Sequence, residues 1–99
     1  MSTLNLLSME SVLVQREGNI ASDMDGEKVM LNVKNGKYYN LGEVGGEIWS
    51  ALEAPASVSR VVDTIRETYD VSAEKAEHDV LAFLRHLLDE GLVEFAGQP

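Results

Sequence analysis

Cysteine is absent from this 99-residue chain, and long apolar runs are absent as well. The first absence excludes a disulfide framework or a thiolate metal site, and it suits the reducing cytoplasm. No run approaches the roughly 20 apolar residues that span a bilayer. We expect one domain over residues 10–95, between a flexible N-terminus at 1–9 and a short tail at 96–99.

Positive charge is also scarce. The chain has 8 lysines and arginines against 17 acidic residues, which gives a net charge of −9. Affinity for nucleic acid comes largely from basic residues that neutralise phosphates, and this chain has few of them. An anionic membrane likewise repels an acidic protein. We therefore expect neither nucleic acid nor a membrane as a partner, and the charge favours neutral or basic partners.

The motifs of catalysis and cofactor binding are lacking. His78 and His86 lie eight residues apart on one predicted helix, too far to share a metal simply. The run Gly42-x-x-Gly45-Gly46 departs from both the phosphate loop and the dinucleotide fingerprint. No serine lies in a nucleophile elbow. We expect no enzyme activity, no cofactor and no metal site.

Two segments predict a β-hairpin. Residues 27–34 alternate, with Val29 and Leu31 on one face, which we expect to be the buried one. Asn35-Gly36 follows and is typical of a two-residue type I′ turn. The returning strand is 37–41, and if the hairpin ends the sheet this strand is an unpaired edge.

The hairpin stands between one earlier strand and three helices. The earlier strand is predicted at 11–16, the helices at 43–53, 57–69 and 73–90, and a short terminal strand at 92–95. Ser57 and Ser72 are predicted N-caps, and Asn40 with Glu43 forms a possible capping box. The pair Gly45-Gly46 weakens the first helix and marks close packing against the sheet. Strands grouped before helices indicate an α+β fold.

The third helix carries two stripes. Its core arc holds Ala73, Ala76, Val80, Leu84, Leu87 and Leu88. Phe83 lies at one margin of this arc, and on its far side lie Asp79, His86 and Glu90. Two interpretations remain open: Phe83 widens the core beside a solvated face, or it forms the floor of a groove with a polar rim.

The residues in order resemble the PqqD-like family. The resemblance covers residues 10–95 and rests on Asp25-Gly26, Met30-Leu31-Asn32, Asn35-Gly36-Lys37-Tyr38-Tyr39-Asn40-Leu41, Ile48-Trp49, Leu52, Tyr69-Asp70-Val71, Asp79-Val80, Phe83-Leu84, Leu87 and Gly91-Leu92-Val93. It implies a winged-helix-like fold in which an N-terminal three-stranded antiparallel sheet packs on three helices. The family recognises ribosomally made precursor peptides that are later modified.

The chain is most similar to the free-standing leader-binding proteins of lasso-peptide biosynthesis in bacteria. The resemblance implies that the precursor's leader adds as a strand to the sheet edge and lies against the third helix. It also implies a cysteine-protease leader peptidase and a macrocyclase as partners. The predicted peptide-binding residues are Val29, Leu31, Lys37, Tyr38, Tyr39, Asn40, Leu41, Ala76, Asp79, Val80, Phe83, His86, Leu87 and Glu90. Either Tyr38 or Tyr39 faces the cleft, depending on the register.

Three alternatives stay open. One is the same recognition role in another modified-peptide pathway or in pyrroloquinoline quinone synthesis. Another is a winged-helix DNA-binding protein, although the helix at 73–90 holds five acidic residues against Lys75 and Arg85. The third is an adaptor that dimerises through its strand edge.

Overall fold

The computed structural model describes residues 7–96 of the chain. Its elements in chain order are β1 (Val12–Gln15), β2 (Asn19–Met24), β3 (Glu27–Asn32), β4 (Tyr38–Leu41), α1 (Gly42–Ala51), β5 (Ala56–Ser57), α2 (Val58–Thr68), α3 (Ala73–Asp89) and β6 (Val93–Phe95). The predicted α+β class is confirmed: strands come first, and helices pack against them.

The strands form two antiparallel sheets, each with three strands among the described residues. The order is β2-β3-β4 in one sheet and β5-β1-β6 in the other. The predicted first strand exists as β1, but its expected place beside the hairpin is wrong, because β1 pairs with β5 and β6. The predicted terminal strand exists as β6 and closes the second sheet.

The strand that completes the hairpin sheet is β2, which the sequence analysis missed. Its residues are polar or small and nearly all exposed, so they carry no alternating apolar signal. Asp25 and Gly26 connect it to β3, with φ of 54° and 84°. Positive φ at both central residues is the signature of a two-residue type I′ turn, which Asp-Gly favours. The Asp25-Gly26 dipeptide was the sequence signal from which β2 could have been predicted.

The predicted hairpin of β3 and β4 is confirmed, whereas its predicted two-residue turn is wrong. Leu31 pairs with Tyr38, and the N–H of Asn32 donates to the carbonyl of Lys37 at 2.9 Å, so four residues form the loop. Only Gly36 in this loop has a positive φ. The side-chain oxygen of the buried Asn32 accepts from the N–H of Asn35 at 2.9 Å, which favours the longer loop.

The helices begin as the cap residues predict in two cases out of three. Ser57 accepts from the N–H of Arg60 at 3.1 Å, and Ser72 accepts from the N–H of Lys75 at 3.2 Å. The capping box at α1 is wrong: Leu41 is the N-cap residue, and Asn40, one residue before it, accepts from the N–H of Gly42 at 3.0 Å. Each serine satisfies an N–H that the first helical turn leaves unpaired.

The core lies between the two sheets and the apolar faces of the helices. Its fully buried residues include Leu13, Met30, Leu52, Leu84 and Leu92. Leu7 and Met9 pack partly buried against this core, although both belong to the predicted N-terminal extension. The rest of that extension, residues 1–6, and residues 97–99 of the predicted tail lie outside the described residues.

Candidate functional site

The strand β4 is the end strand of its sheet, as the hairpin predicted. Cross-strand pairing sets Tyr39 beside Met30, whose side chain is 0% exposed. Tyr39 and Leu41 therefore lie on the inner face of the sheet, toward the helices, and both are half-buried against the core. Tyr38 points the other way and is 74% exposed. Of the two adjacent tyrosines, Tyr39 turns toward the helices.

The inner face of β3 differs from the expected one. Met30 and Asn32 are buried, so the prediction that Val29 and Leu31 occupy the buried face is wrong. Val29 pairs with Asn40 and Leu31 with Tyr38, which places all four on the outer face of the sheet. An apolar alternation identifies two faces but does not say which one meets the helices when both carry apolar residues.

The backbone of β4 offers hydrogen-bonding groups along its open edge. In an antiparallel pair, residues that exchange hydrogen bonds alternate with residues whose N–H and C=O point away. The bond from Asn32 to Lys37 fixes this alternation, so Tyr39 pairs inward with Met30. The N–H and C=O groups of Tyr38 and Asn40 consequently point to the open edge.

The helix α3 supplies a wall opposite the inner face of β4. Phe83 is half-buried at the margin of the core, and Asp79 and His86 are exposed on either side of it. Three further predicted site residues lie behind Phe83 as buried members of the core, namely Ala76, Val80 and Leu87. We call the strip bordered by Tyr39, Leu41, Phe83 and Glu90 the β4–α3 surface.

One carboxylate links the two sides of the β4–α3 surface. The hydroxyl of Tyr39 donates to Oε1 of Glu90 at 2.9 Å. The ammonium of Lys37 lies 3.8 Å from the same oxygen. Glu90 follows the last turn of α3, where the helix dipole disfavours negative charge. The hydroxyl of Tyr39 in β4 and the ammonium of Lys37 just before it offset this cost and tie the start of the edge strand to the end of the helix.

Acidic groups dominate the polar rim. Asp79 is exposed and already paired with Lys75, at 3.1 Å across one helical turn. At the Glu90 end, a cavity of about 240 Å³ lies beneath the loop between β3 and β4. Its lining residues are Arg16, Glu17, Gly18, Asn32, Lys34, Asn35, Glu90 and Gly91. The polar end of the surface is thus at Glu90, and the apolar end is at Leu41 and Phe83.

A metal-binding cluster and a membrane-spanning helix are two features that residues 7–96 lack. Among residues 7–96, no three histidine or acidic side chains cluster as a metal ion would need. No helix in the same part of the chain is long and apolar enough to cross a bilayer.

Sequence reasoning missed the part that Asn32 and Gly45 play here. Asn32 anchors the loop before β4, and the only signal was an asparagine ahead of the Asn-Gly pair. The glycine pair was expected to pack against the sheet, and Gly46 does so against Lys28 of β3. Gly45 packs against Leu41 of β4 and, more closely, against the ring of Phe83 in α3. No sequence pattern distinguishes the two neighbours.

Comparison with known proteins places this geometry in a family. The family model of coenzyme PQQ synthesis protein D (PqqD) matches residues 27–93. A search of curated proteins finds no match. Among solved structures, "TbiB1 in Complex with the TbiA(beta) Leader Peptide" is 31% identical, with a TM-score of 0.73 over 87% of this chain and 98% of that one.

Two more distant structures share the fold. "Lasso peptide synthetase B1 complexed with the leader peptide" is 23% identical, with a TM-score of 0.72, and the match covers 83% of this chain and 96% of that one. The PqqD truncation of Methylobacterium extorquens PqqCD, described as a stand-alone recognition element, is 18% identical. Its TM-score is 0.76, over 94% of this chain and 99% of that one. From the family-model match and the 31% identity, we conclude that this chain belongs to the PqqD family.

Proposed function

We propose that this protein binds the leader segment of a ribosomally synthesised precursor peptide by strand addition to the open edge of β4. The observation that carries the proposal is the backbone of Tyr38 and Asn40, whose N–H and C=O groups point to that edge. A peptide strand paired there gains affinity from main-chain hydrogen bonds, and pockets for alternate side chains add specificity. The leader complex of the 31% identical relative supports the same ligand class.

The edge of β4 is a better site than the other open edge of its sheet. The side chains of β2 beyond Asn19 are exposed, so a strand added there would meet no apolar wall among the described residues. A strand added to β4 lies beside Tyr39 and Leu41, with Phe83 across from them. Every second leader side chain would then point into the β4–α3 surface.

The contacts divide into three kinds. Lys37, Tyr38 and Asn40 border the paired backbone, and Val29 and Leu31 adjoin it on the outer face of the sheet. Tyr39, Leu41 and Phe83 contact inward-pointing leader side chains. Asp79, His86 and Glu90 form the polar rim, where a basic leader residue would be favoured by the net charge of −9. The remaining predicted site residues are Ala76, Val80 and Leu87. They are buried in the core, so their part is to support Phe83 from beneath.

Leader binding would serve a further role in maturation. In this proposal the protein delivers the bound leader to a separate cysteine-protease leader peptidase during lasso-peptide biosynthesis, before a macrocyclase closes the ring. Lasso peptide synthetase B1 and the PqqD truncation share the fold of this chain, so the lasso assignment rests on the resemblance of its sequence. The family is named for a protein of coenzyme PQQ synthesis. The alternative is therefore the same recognition step in that pathway or in another modified-peptide pathway.

A series of N-methylated leaders tests strand addition. The probe is a synthetic peptide with the leader sequence of the cognate precursor, with each backbone amide methylated in turn. Strand addition predicts that every second methyl group within the bound segment abolishes binding, because only alternate amides pair with β4. If the unmodified leader binds and every methylated leader binds equally well, strand addition is contradicted. If the unmodified leader does not bind, the proposed function is contradicted.

A further inference from the structure

The interior of α1 contains two adjacent glycines that the backbone does not require. Gly36 and Gly42 have φ of +72° and +73°, a region that disfavours other residues, whereas Gly45 and Gly46 lack such a φ. Glycine is the least favourable residue except proline in a helix interior. A close approach by a neighbouring group is therefore the reason for glycine at both positions.

The two glycines admit different neighbours. A Cβ at Gly46 would lie 2.8 Å from the Cβ of Lys28, so this glycine lets α1 approach β3. A Cβ at Gly45 would lie 2.8 Å from Cζ of Phe83 and 3.3 Å from Cβ of Leu41. Carbon atoms that are not bonded prefer about 3.5–4.0 Å. Any side chain at residue 45 would therefore force the ring of Phe83 to move.

The ring can move most easily toward its exposed side. Phe83 is half-buried: one edge of the ring lies against Gly45, and Val80, Leu84 and Leu87 of its own helix are fully packed. Its open side borders the β4–α3 surface. A ring displaced from Gly45 would enter the space in which a leader side chain is expected.

We propose that Gly45 is a specificity-determining residue that acts through the position of Phe83. Because residue 45 has no side chain, the ring recedes toward α1 and leaves room beside Leu41 for a large apolar side chain of the leader, such as leucine, phenylalanine or tyrosine. The inference rests on the proposed function. Gly45 is a positioning residue, since it contacts Phe83 and Leu41 rather than the peptide.

Affinity for the fluorescently labelled cognate leader tests this role in five forms of the full chain. They are the wild type, Gly45→Ala, Phe83→Leu, the double variant Gly45→Ala with Phe83→Leu, and Gly46→Ala. We expect Gly45→Ala to weaken binding by roughly tenfold, as for a hot-spot contact. Phe83→Leu should itself weaken binding, because Phe83 contacts the leader, but in this background Gly45→Ala should cost at most about threefold more, since the smaller leucine has room beside a new Cβ. Gly46→Ala, which meets Lys28 instead, should leave the affinity of the folded protein unchanged.

A second leader provides a measurement that a merely structural glycine would not alter. In this peptide, the large apolar residue whose truncation weakens wild-type binding most is replaced by alanine. Gly45→Ala should lose much less affinity for this leader than for the natural one. Thermal unfolding of each variant confirms that a folded protein is compared.

Each outcome decides the question. Unchanged binding by a folded Gly45→Ala protein would overturn the specificity role and leave the proposed function standing. A Gly45→Ala loss that is as large in the Phe83→Leu background as in the wild type, or a loss that is equal for both leaders, would reduce Gly45 to a packing residue. A wild type that does not bind the leader would overturn the proposed function itself, and the role of Gly45 with it.

Discussion

The hydroxyl of Tyr39 and the carboxylate of Glu90 meet at 2.9 Å, although 51 residues separate them in the chain. This hydrogen bond joins the edge strand β4 to the end of α3, and it holds the two borders of the proposed peptide site in a fixed relation. Lys37 approaches the same carboxylate at 3.8 Å. The site therefore has a polar anchor at one end and an apolar contact, Phe83 against Gly45, at the other.

Removing the hydroxyl should loosen this link. We expect Tyr39→Phe to lower the free energy of unfolding by about 1 kcal/mol, because a partly buried hydrogen bond to a charged acceptor is lost. Chemical denaturation measures the change. The matched control is Tyr38→Phe at the neighbouring exposed position, which should stay within about 0.5 kcal/mol of the wild type. Equal effects of the two substitutions would contradict the link.

Removing the charge of Glu90 should affect binding more than stability. Glu90→Gln keeps an acceptor for Tyr39, and the Lys37 pair is exposed enough that we expect a stability change below about 0.5 kcal/mol. Affinity for a leader with a basic residue should fall, and its dependence on salt should weaken.

Asp79→Asn is the control for the Glu90 prediction. It removes the same unit of charge, but the Asp79 side chain is 52% exposed against 30% for Glu90, and its lysine lies at 3.1 Å against 3.8 Å. Its charge is therefore more fully screened, and the loss of affinity should be smaller. If both variants lose the same affinity, the total charge attracts the leader and Glu90 has no special position. Fluorescence anisotropy at low and high salt separates the two results.

The loop before β4 depends on Asn32. Its side chain, 9% exposed, donates to Asn19 at 2.7 Å and accepts from the N–H of Asn35 at 2.9 Å. We expect Asn32→Ala to destabilise the fold by about 2 kcal/mol, because two part-buried hydrogen bonds of about 1 kcal/mol each are lost. Asn35→Ala, in the exposed part of the loop, should cost less than half as much. Urea unfolding measures both changes. Equal unfolding midpoints of the two variants would refute this role of Asn32.

Alkaline pH should destabilise the fold through Tyr69. Its hydroxyl is shielded from solvent, and this burial raises its pKa above the ordinary value of 10.0, with the charges of Glu43 and Glu47 adding to the effect. Above pH 10 the unfolded chain therefore releases this proton first, so stability falls as the pH rises toward the folded pKa. The fall should be smaller in Tyr69→Phe, as measured by urea unfolding between pH 8 and pH 11. If the stability of the two proteins depended on pH in the same way, this role of Tyr69 would be contradicted.

Local signals predicted most of the elements. Serine caps and 3.6-residue periodicity located α2 and α3 to within a residue, because a helix is specified by its own residues. The stripe of Phe83 followed from the same period, and its position at the margin of the core is confirmed. The edge position of β4 followed from the order of the elements.

Features that depend on distant contacts were not predictable in the same way. The strand β2 carries little apolar pattern, and β1 pairs with β5 and β6 from remote parts of the chain. Which face of β3 meets the helices depends on packing, since both faces carry apolar side chains. The bond between Tyr39 and Glu90 and the contact between Gly45 and Phe83 arise only once the helices pack, so no local pattern encodes them.

Hydrogen exchange at the amides of β4 tests strand addition most directly. The amide of Tyr39 pairs inward with Met30, so it should exchange slowly in the free protein, whereas the amides of Tyr38 and Asn40 should exchange fast. With the cognate leader at saturation, the account predicts that Tyr38 and Asn40 become protected by at least tenfold, while Tyr39 changes little. Saturated binding that leaves the amides of Tyr38 and Asn40 as fast as in the free protein would contradict strand addition at this edge.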